Sequence, residues 1–173
     1  ENGCGKMNDF TKQALHEIKK LGATHIWYTG LIAHASQTDY TAYGIPKNHP
    51  SIVKGKAGSP YAIRDYYDID PDLVEHVDKR MEEFEHLVTR SHECGLKVIM
   101  DFVPNHVARQ YHSLAKPAGV KDLGENDDCS QDFNPQNNFY YIPGQKLAGE
   151  IDLYDPEQGN YEEMPAKATG NDR

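Results

Sequence analysis

The sequence predicts an α/β fold organised around a strand–helix–strand unit, and three observations carry this. An apolar stripe at helical spacing fills residues 77–88. It is flanked by two strand-like runs, "THIWYTG" at residues 24–30 and "KVIMDFV" at residues 97–103. A strand, a helix and a second strand in that order make a βαβ unit, whose strands are parallel neighbours joined by a right-handed crossover. The nearly continuous apolar character of the second run is that of a strand covered on both faces.

The elements follow in order. Residues 10–21 read as a helix with Phe10, Ala14, Ile18 and Leu21 on one face. Asn8 or Asp9 can cap its start, Lys19 and Lys20 suit its last turn, and Gly22 its end. The β-branched and aromatic content of residues 24–30 makes them the first strand. Residues 31–60, with Gly44, Pro46, Pro50, Gly55, Gly58 and Pro60, read as one long loop, of a length usual only for functional or disordered segments. A second helix begins between Val74 and Asp78 and runs to Cys94, with Val77, Met81, Phe84, Leu87 and Val88 as its stripe and Gly95 at its end. After His106 the pattern dissolves into Asn, Asp, Gly and Pro, and "FYYI" at residues 139–142 is the one short strand expected there.

Composition sets the bounds. The 173 residues suffice for one domain with a core, and hydrophobic content is 38%. No apolar run approaches the ~20 residues of a membrane span. The net charge of −9 argues against a nucleic-acid partner. Residues 1–121 hold 15 acidic and 15 basic side chains, whereas residues 122–173 hold 12 acidic and 3 basic. That break, between residues 121 and 122, is the best internal boundary in the composition. The chain opens on Glu1 without a basic-then-apolar leader, so a processed or truncated chain is expected. Cys4, Cys94 and Cys129 show no zinc-type spacing; Cys94 reads as a small buried hydrophobe, and Cys4–Cys129 is the disulfide considered. The compartment stays open.

The chemistry concentrates where the second strand ends, in "DFVPNH". Ligands of parallel α/β folds bind at the carboxyl ends of strands. Asp101 and His106 therefore have two readings: a carboxylate satisfied by backbone N–H groups beside a turn histidine, or a pair facing a ligand. "SPYAIRDYYDIDPDL" at residues 59–73 lies before the second helix and so on the same face. Its Tyr61, Tyr66 and Tyr67 are either half-buried packing or platforms for sugar rings. Asp122, Glu125, Asp127, Asp128 and Asp132 form either a solvated acidic loop or a hard-cation site. No P-loop, dinucleotide fingerprint or nucleophile elbow occurs.

"DFVPNH" resembles the motif Asp-x-Val-x-Asn-His that closes the third barrel strand of the α-amylase family of glycoside hydrolases. "LGATHIWYTG" resembles that family's second strand, "YAIRDYYDIDPDL" the loop after it, and "FEHLVTRSHECGLKVIMDFVPNH" its second helix and third strand. The resemblance covers residues 10–106, in order and in spacing. It implies a fragment of a (β/α)8 TIM barrel, with residues 107–173 as part of the irregular domain inserted after strand three. It makes Asp101 and His106 catalytic-site residues: Asp101 shapes the subsite at the scissile bond and His106 bonds the 6-hydroxyl of the sugar there. Tyr61 is implied as the ring stacked under that sugar, and Asn105 as a ligand of a structural calcium ion. The implied partner is an α-glucan, and the parent reaction is retaining hydrolysis of α-1,4-type glucosidic bonds. A transglycosidase, a sucrose- or trehalose-acting member, and a non-catalytic carbohydrate-binding module are the alternatives. Retaining hydrolysis needs two carboxylates ~5–5.5 Å apart. The family takes them from later strands whose motifs do not occur in this chain, so the chain alone is expected to be inactive. Its open strand edges lead to an expectation of self-association.

Overall fold

The computed structural model describes residues 5–147 and 153–168. The first helix, α1 (Lys12–Lys20), starts one turn later than the caps Asn8 and Asp9 imply. Those two residues lie in a short 3-10 turn, and Thr11 caps the helix by accepting the Ala14 N–H at 3.2 Å. Gly22 closes it in the left-handed region at φ +91°. The buried face agrees with the expected one at Phe10 and Ile18 and departs from it elsewhere. Leu15 is fully buried against Cys94 and Leu96, whereas Leu21 is 87% exposed.

The expected βαβ unit is present. Strands β1 (His25–Tyr28) and β4 (Lys97–Met100) are parallel and paired from His25 with Lys97 to Tyr28 with Met100. Helix α2 (Arg80–Glu93) crosses between them, entered through a 3-10 turn at Val77–Lys79. The Glu83 carboxylate accepts the N–H groups of His76 at 2.7 Å and Glu75 at 3.1 Å, which fixes the chain just before the helix. Glu83, Leu87 and Ser91 form the buried face, and the Tyr28 hydroxyl meets Ser91 Oγ at 3.0 Å. Leu87 packs with Met7, Tyr28, Leu31, Ile45, Ile69, Val74 and Val77 in the main core. Met81, expected on the stripe, is exposed.

The sheet departs from the expectation of two covered faces. β1 and β4 make a two-stranded sheet, and among the described residues no barrel closes around it. Ile26 and Val98 pack on the core, while Trp27 and Ile99 point the other way and are 62% and 45% exposed. Regular pairing stops at Met100 rather than Val103, with one further bond from the Asp101 N–H to the Tyr28 carbonyl.

The long loop contains structure that the sequence did not announce. β2 (Ile32–His34) pairs antiparallel with β3 (Ile63–Ile69), with register irregularities on both sides of Ala33. Buried carboxylates set this pair in place. Asp65 accepts from Ser113 Oγ at 2.6 Å and the Leu114 N–H at 2.8 Å. Asp68 takes a two-pronged bond from Arg80 at 2.7 and 2.6 Å. Asp70 accepts the N–H groups of Asp72 and His34 at 2.9 and 3.1 Å. Gly58 lets the loop cross β2: a side-chain carbon there would lie 1.8 Å from the Ala35 carbonyl oxygen.

The chain beyond β4 is sewn to β3, with Ala108 N–H on the Ile63 carbonyl at 2.8 Å and His112 N–H on the Arg64 carbonyl at 3.0 Å. It then forms two short antiparallel ladders, β5 (Tyr141–Ile142) with β8 (Ala166–Lys167), and β6 (Tyr154–Asp155) with β7 (Gly159–Asn160). The expected strand at "FYYI" is thus reduced to its second half. Cys94 and Cys129 are free thiols, and Cys4 lies outside the described residues.

Candidate functional site

Parallel pairing puts the carboxyl ends of β1 and β4 side by side, and the chain leaving β4 builds one wall of a cavity there. Pro104 to Arg109 form that wall, Tyr66 of β3 flanks it, and Phe139, Tyr140 and Lys167 close it from the chain after residue 109, which carries the two short ladders and forms a second lobe. The cavity has a volume of about 430 Å³ and opens to solvent. Two of the four residues named from the sequence, Asn105 and His106, line it. Asn105 Nδ2 lies 2.9 Å from His106 Nδ1, so the amide orients the imidazole.

Asp101 and Tyr61 stand outside this wall. Asp101 is half-buried one residue past β4. Tyr61 is 46% exposed in the turn before β3, its N–H directed at Ser59 Oγ at 3.3 Å.

Tyr66 does what a half-buried tyrosine can do best. Its hydroxyl donates to the Val103 carbonyl at 2.6 Å and the His106 carbonyl at 3.2 Å. Burial holds its pKa above the ordinary value, so it stays a donor. It thereby pins the "DFVPNH" segment to β3, and its ring meets Phe102 and Tyr111 at 5.4 and 5.8 Å between centroids. Burial likewise pushes Tyr111 up to about 12.

Each wall carries a cation held by the fold, Arg109 on the near one and Lys167 on the far one. Arg109 bonds Glu163 Oε1 at 2.7 Å, and Lys167 Nζ bonds the Arg109 carbonyl at 2.9 Å while sitting 5.0 Å above the Phe139 ring. Arg109, Lys167 and Tyr140 had no motif to announce them. Only the aromatic run 139–141 gave a signal, and it reads as a strand. Among the described residues the cavity lining contains no Asp or Glu. It can hold and orient a polar ligand through imidazole, amide and hydroxyl groups, but it presents no pair of carboxylates for acid and nucleophile roles.

The acidic residues of the second lobe are engaged in shaping loops. Asp127 accepts the N–H groups of Asn138 and Phe139 at 2.9 and 3.0 Å and the Tyr141 hydroxyl at 3.0 Å. Asp122 accepts the Ser113 N–H, Glu125 the Asp122 N–H, Asp132 the Phe133 N–H, and Asp128 both donors of Ser130. Among the described residues no group of three or more His, Cys, Asp or Glu is gathered as metal ligands. The donor set around Asn105 does not fit a calcium ion, whose coordination draws heavily on carboxylate oxygens.

A second histidine escaped sequence reading. His34 Nε2 lies 3.1 Å from the Ala57 carbonyl, and Nδ1 lies 2.8 Å from Asp70 Oδ2, poorly aligned for a hydrogen bond but close as an ion pair. Both ring nitrogens face acceptors, so the doubly protonated ring fits. Burial opposes that charge, yet Asp70 and the Ala57 carbonyl outweigh it and raise the pKa.

Parallel strands with a crossover helix, and a cavity on the segment that leaves β4, define a piece of an α/β scaffold. The chain matches the family described as "Alpha amylase, catalytic domain" over residues 1–160, and it belongs to that family. It is 30% identical over 115 residues to Maltase A1 of Drosophila melanogaster, covering 66% of this chain and 15% of that protein. With trehalose-6-phosphate hydrolase of Bacillus subtilis it shares 31% over 110 residues, covering 64% and 15%. With the human amino acid transporter heavy chain SLC3A1 it shares 39% over 91 residues, covering 49% and 13%. A solved α-amylase from Lactobacillus plantarum aligns at 29% identity with a TM-score of 0.47, covering 63% of this chain and 21% of the other. The chain therefore spans about a seventh of the length of these curated relatives.

Proposed function

We propose that this chain forms part of a retaining glycoside hydrolase acting on α-1,4-type glucosidic bonds, and supplies substrate-binding wall rather than the reacting carboxylates. The observation that carries the reading is the "DFVPNH" segment, leaving β4 at the carboxyl end of the sheet with His106 on a cavity. In this role Asp101 and His106 contact the sugar at the scissile bond and Tyr61 stacks beneath it. The nucleophile and the proton donor come from parts of the longer protein. A cavity wall built from imidazole, amide, hydroxyl and cationic groups supports that division of labour.

The test is product analysis of the intact protein on maltooligosaccharides, trehalose 6-phosphate and sucrose, followed by NMR of the anomer first released. The expected result is α-anomer from an α-1,4-linked substrate. His106→Ala should lower kcat/KM by roughly 5- to 150-fold, equivalent to the ~1–3 kcal/mol of a hydrogen bond removed from a polar site. Wild-type kinetics in that variant would overturn the role of His106. The similarity to a transporter heavy chain favours one second reading, a non-catalytic member. Absence of turnover on every substrate, with α-glucan binding retained, would select it.

A further inference from the structure

The second lobe displays two aromatic rings that the fold holds in place and leaves uncovered. Phe133 and Tyr140 stack with centroids 5.6 Å apart and planes 20° from parallel. They remain 57% and 59% exposed. Neither belongs to a hydrophobic core cluster among the described residues. Tyr140 lines the cavity beside His106 and Asn138.

The pair is rigid by construction. The Tyr141 N–H on the Asp132 carbonyl closes the base of the loop that carries both rings. The Asn134 side chain accepts the Gln136 N–H at 2.9 Å and its carbonyl accepts the Asn137 N–H at 2.9 Å, which folds the tip. The Ala168 N–H holds the Tyr140 carbonyl at 2.9 Å, continuing the β5–β8 ladder. Behind Tyr140 the backbone is fixed further by Asp127, which accepts the Phe139 N–H.

An exposed, preorganised ring at the mouth of a polar cavity has a specific use. The negative face of an aromatic ring attracts polarised C–H groups, and the face of a pyranose offers a row of them. Phe133 backs Tyr140 in a near-parallel stack, and more than half of Tyr140 stays exposed. A flat apolar platform beside imidazole and amide groups matches a sugar ring, whose faces are apolar and whose rim is hydroxylated. We infer that Tyr140, backed by Phe133, is a stacking platform for a further sugar unit of a bound α-glucan. This rests on the α-glucan reading above and adds a binding position that lies in the second lobe rather than on the barrel strands.

The experiment is isothermal titration of the intact protein with maltotetraose, for wild type, Tyr140→Ala, Tyr140→Phe, Phe133→Ala and His106→Ala. Tyr140→Ala should weaken binding by about fivefold or more, Phe133→Ala by less, and Tyr140→Phe by less than about twofold, because the ring rather than the hydroxyl does the stacking. Both rings are exposed, so melting temperatures should match wild type and show that the variants fold. If His106→Ala weakens binding and Tyr140→Ala does not, the platform is wrong and the α-glucan reading stands. If wild type binds no α-glucan, both are wrong. If Tyr140→Ala leaves affinity unchanged but converts an oligomer to a monomer in light scattering, the rings are a contact between copies and the inference is overturned.

Discussion

At the scale of single residues, a few buried polar groups decide how the site-bearing loops are held, and His34 is the clearest. Its ring faces Asp70 and a backbone carbonyl, with Asp72 contributing further negative charge. Its folded-state pKa lies above the unfolded value of about 6.5, so protonation favours the native state. That stabilisation is complete below about pH 6.5 and is lost as pH rises through the folded-state pKa. Thermal melts should therefore show the midpoint falling as pH rises above neutrality, and His34→Gln should flatten the slope. An equal slope in the variant would assign the pH dependence to other groups. Asp65 makes a second residue-scale case. Its carboxylate accepts from Ser113, Leu114, Ala115 and Tyr67, so Asp65→Ala strands several donors. A decrease of about 2–4 kcal/mol in urea unfolding is expected, since each buried unpaired group costs ~1–3 kcal/mol and water relieves some of them.

Elements that rest on apolar periodicity were the legible ones. Leu87 is fully buried where the α2 stripe places it, and Leu87→Ala should cost about 2–5 kcal/mol in the same assay. The βαβ unit was legible for the same reason: a stripe at helical spacing and two apolar runs admit few arrangements. The face of α1 was legible in part: Phe10 and Ile18 pack as their spacing implies, whereas Leu21 lies past the helix end and stays exposed and Leu15, off that stripe, carries the packing. β2 was illegible because its three residues are too few to show a period, and β3 because half of its burial is charged. Asp65, Asp68 and Asp70 are all buried, and a run such as "IRDYYDID" reads as polar loop until the partners of those carboxylates are seen. The candidate site was legible where a motif sits on a strand end, at Asn105 and His106. It was not where the wall comes from distant sequence, as Arg109, Tyr140 and Lys167 do.

The molecule as a whole presents an unfinished sheet. Trp27 and Ile99 are exposed on β1 and β4, Phe102 is exposed two residues past β4, and neither strand has a further neighbour among the described residues. The isolated 173-residue chain should associate through these edges, giving oligomers in light scattering that Trp27→Lys disperses. A monomer at micromolar concentration would contradict this. The same chain should not turn over starch, maltooligosaccharides or an aryl α-glucoside, because a single strand-end carboxylate cannot serve as both nucleophile and acid. Activity that tracks the chain and vanishes in Asp101→Asn would show otherwise. Calcium enters at this scale too. With the acidic side chains of the second lobe bound to local donors, the melting temperature should stay the same in EDTA and in millimolar calcium. A rise with calcium would place Asn105 and oxygens from residues 107–173 around an ion.

The register of the parallel pair sets a timetable for synthesis. His25 waits for Lys97, its partner roughly seventy residues later. At ~5–20 residues per second a ribosome takes about 4–14 seconds to deliver the second strand. Throughout that interval Ile26, Trp27 and Tyr28 have emerged without the strand that pairs with them in this structure. The β2–β3 pair and α2 are complete before β4 is, so they can condense first, and β4 then enters beside a strand already covered on its helix side. Among the described strands β1 is therefore the one that waits longest for its partner, with Trp27 and Ile26 the apolar groups it must keep from other contacts meanwhile.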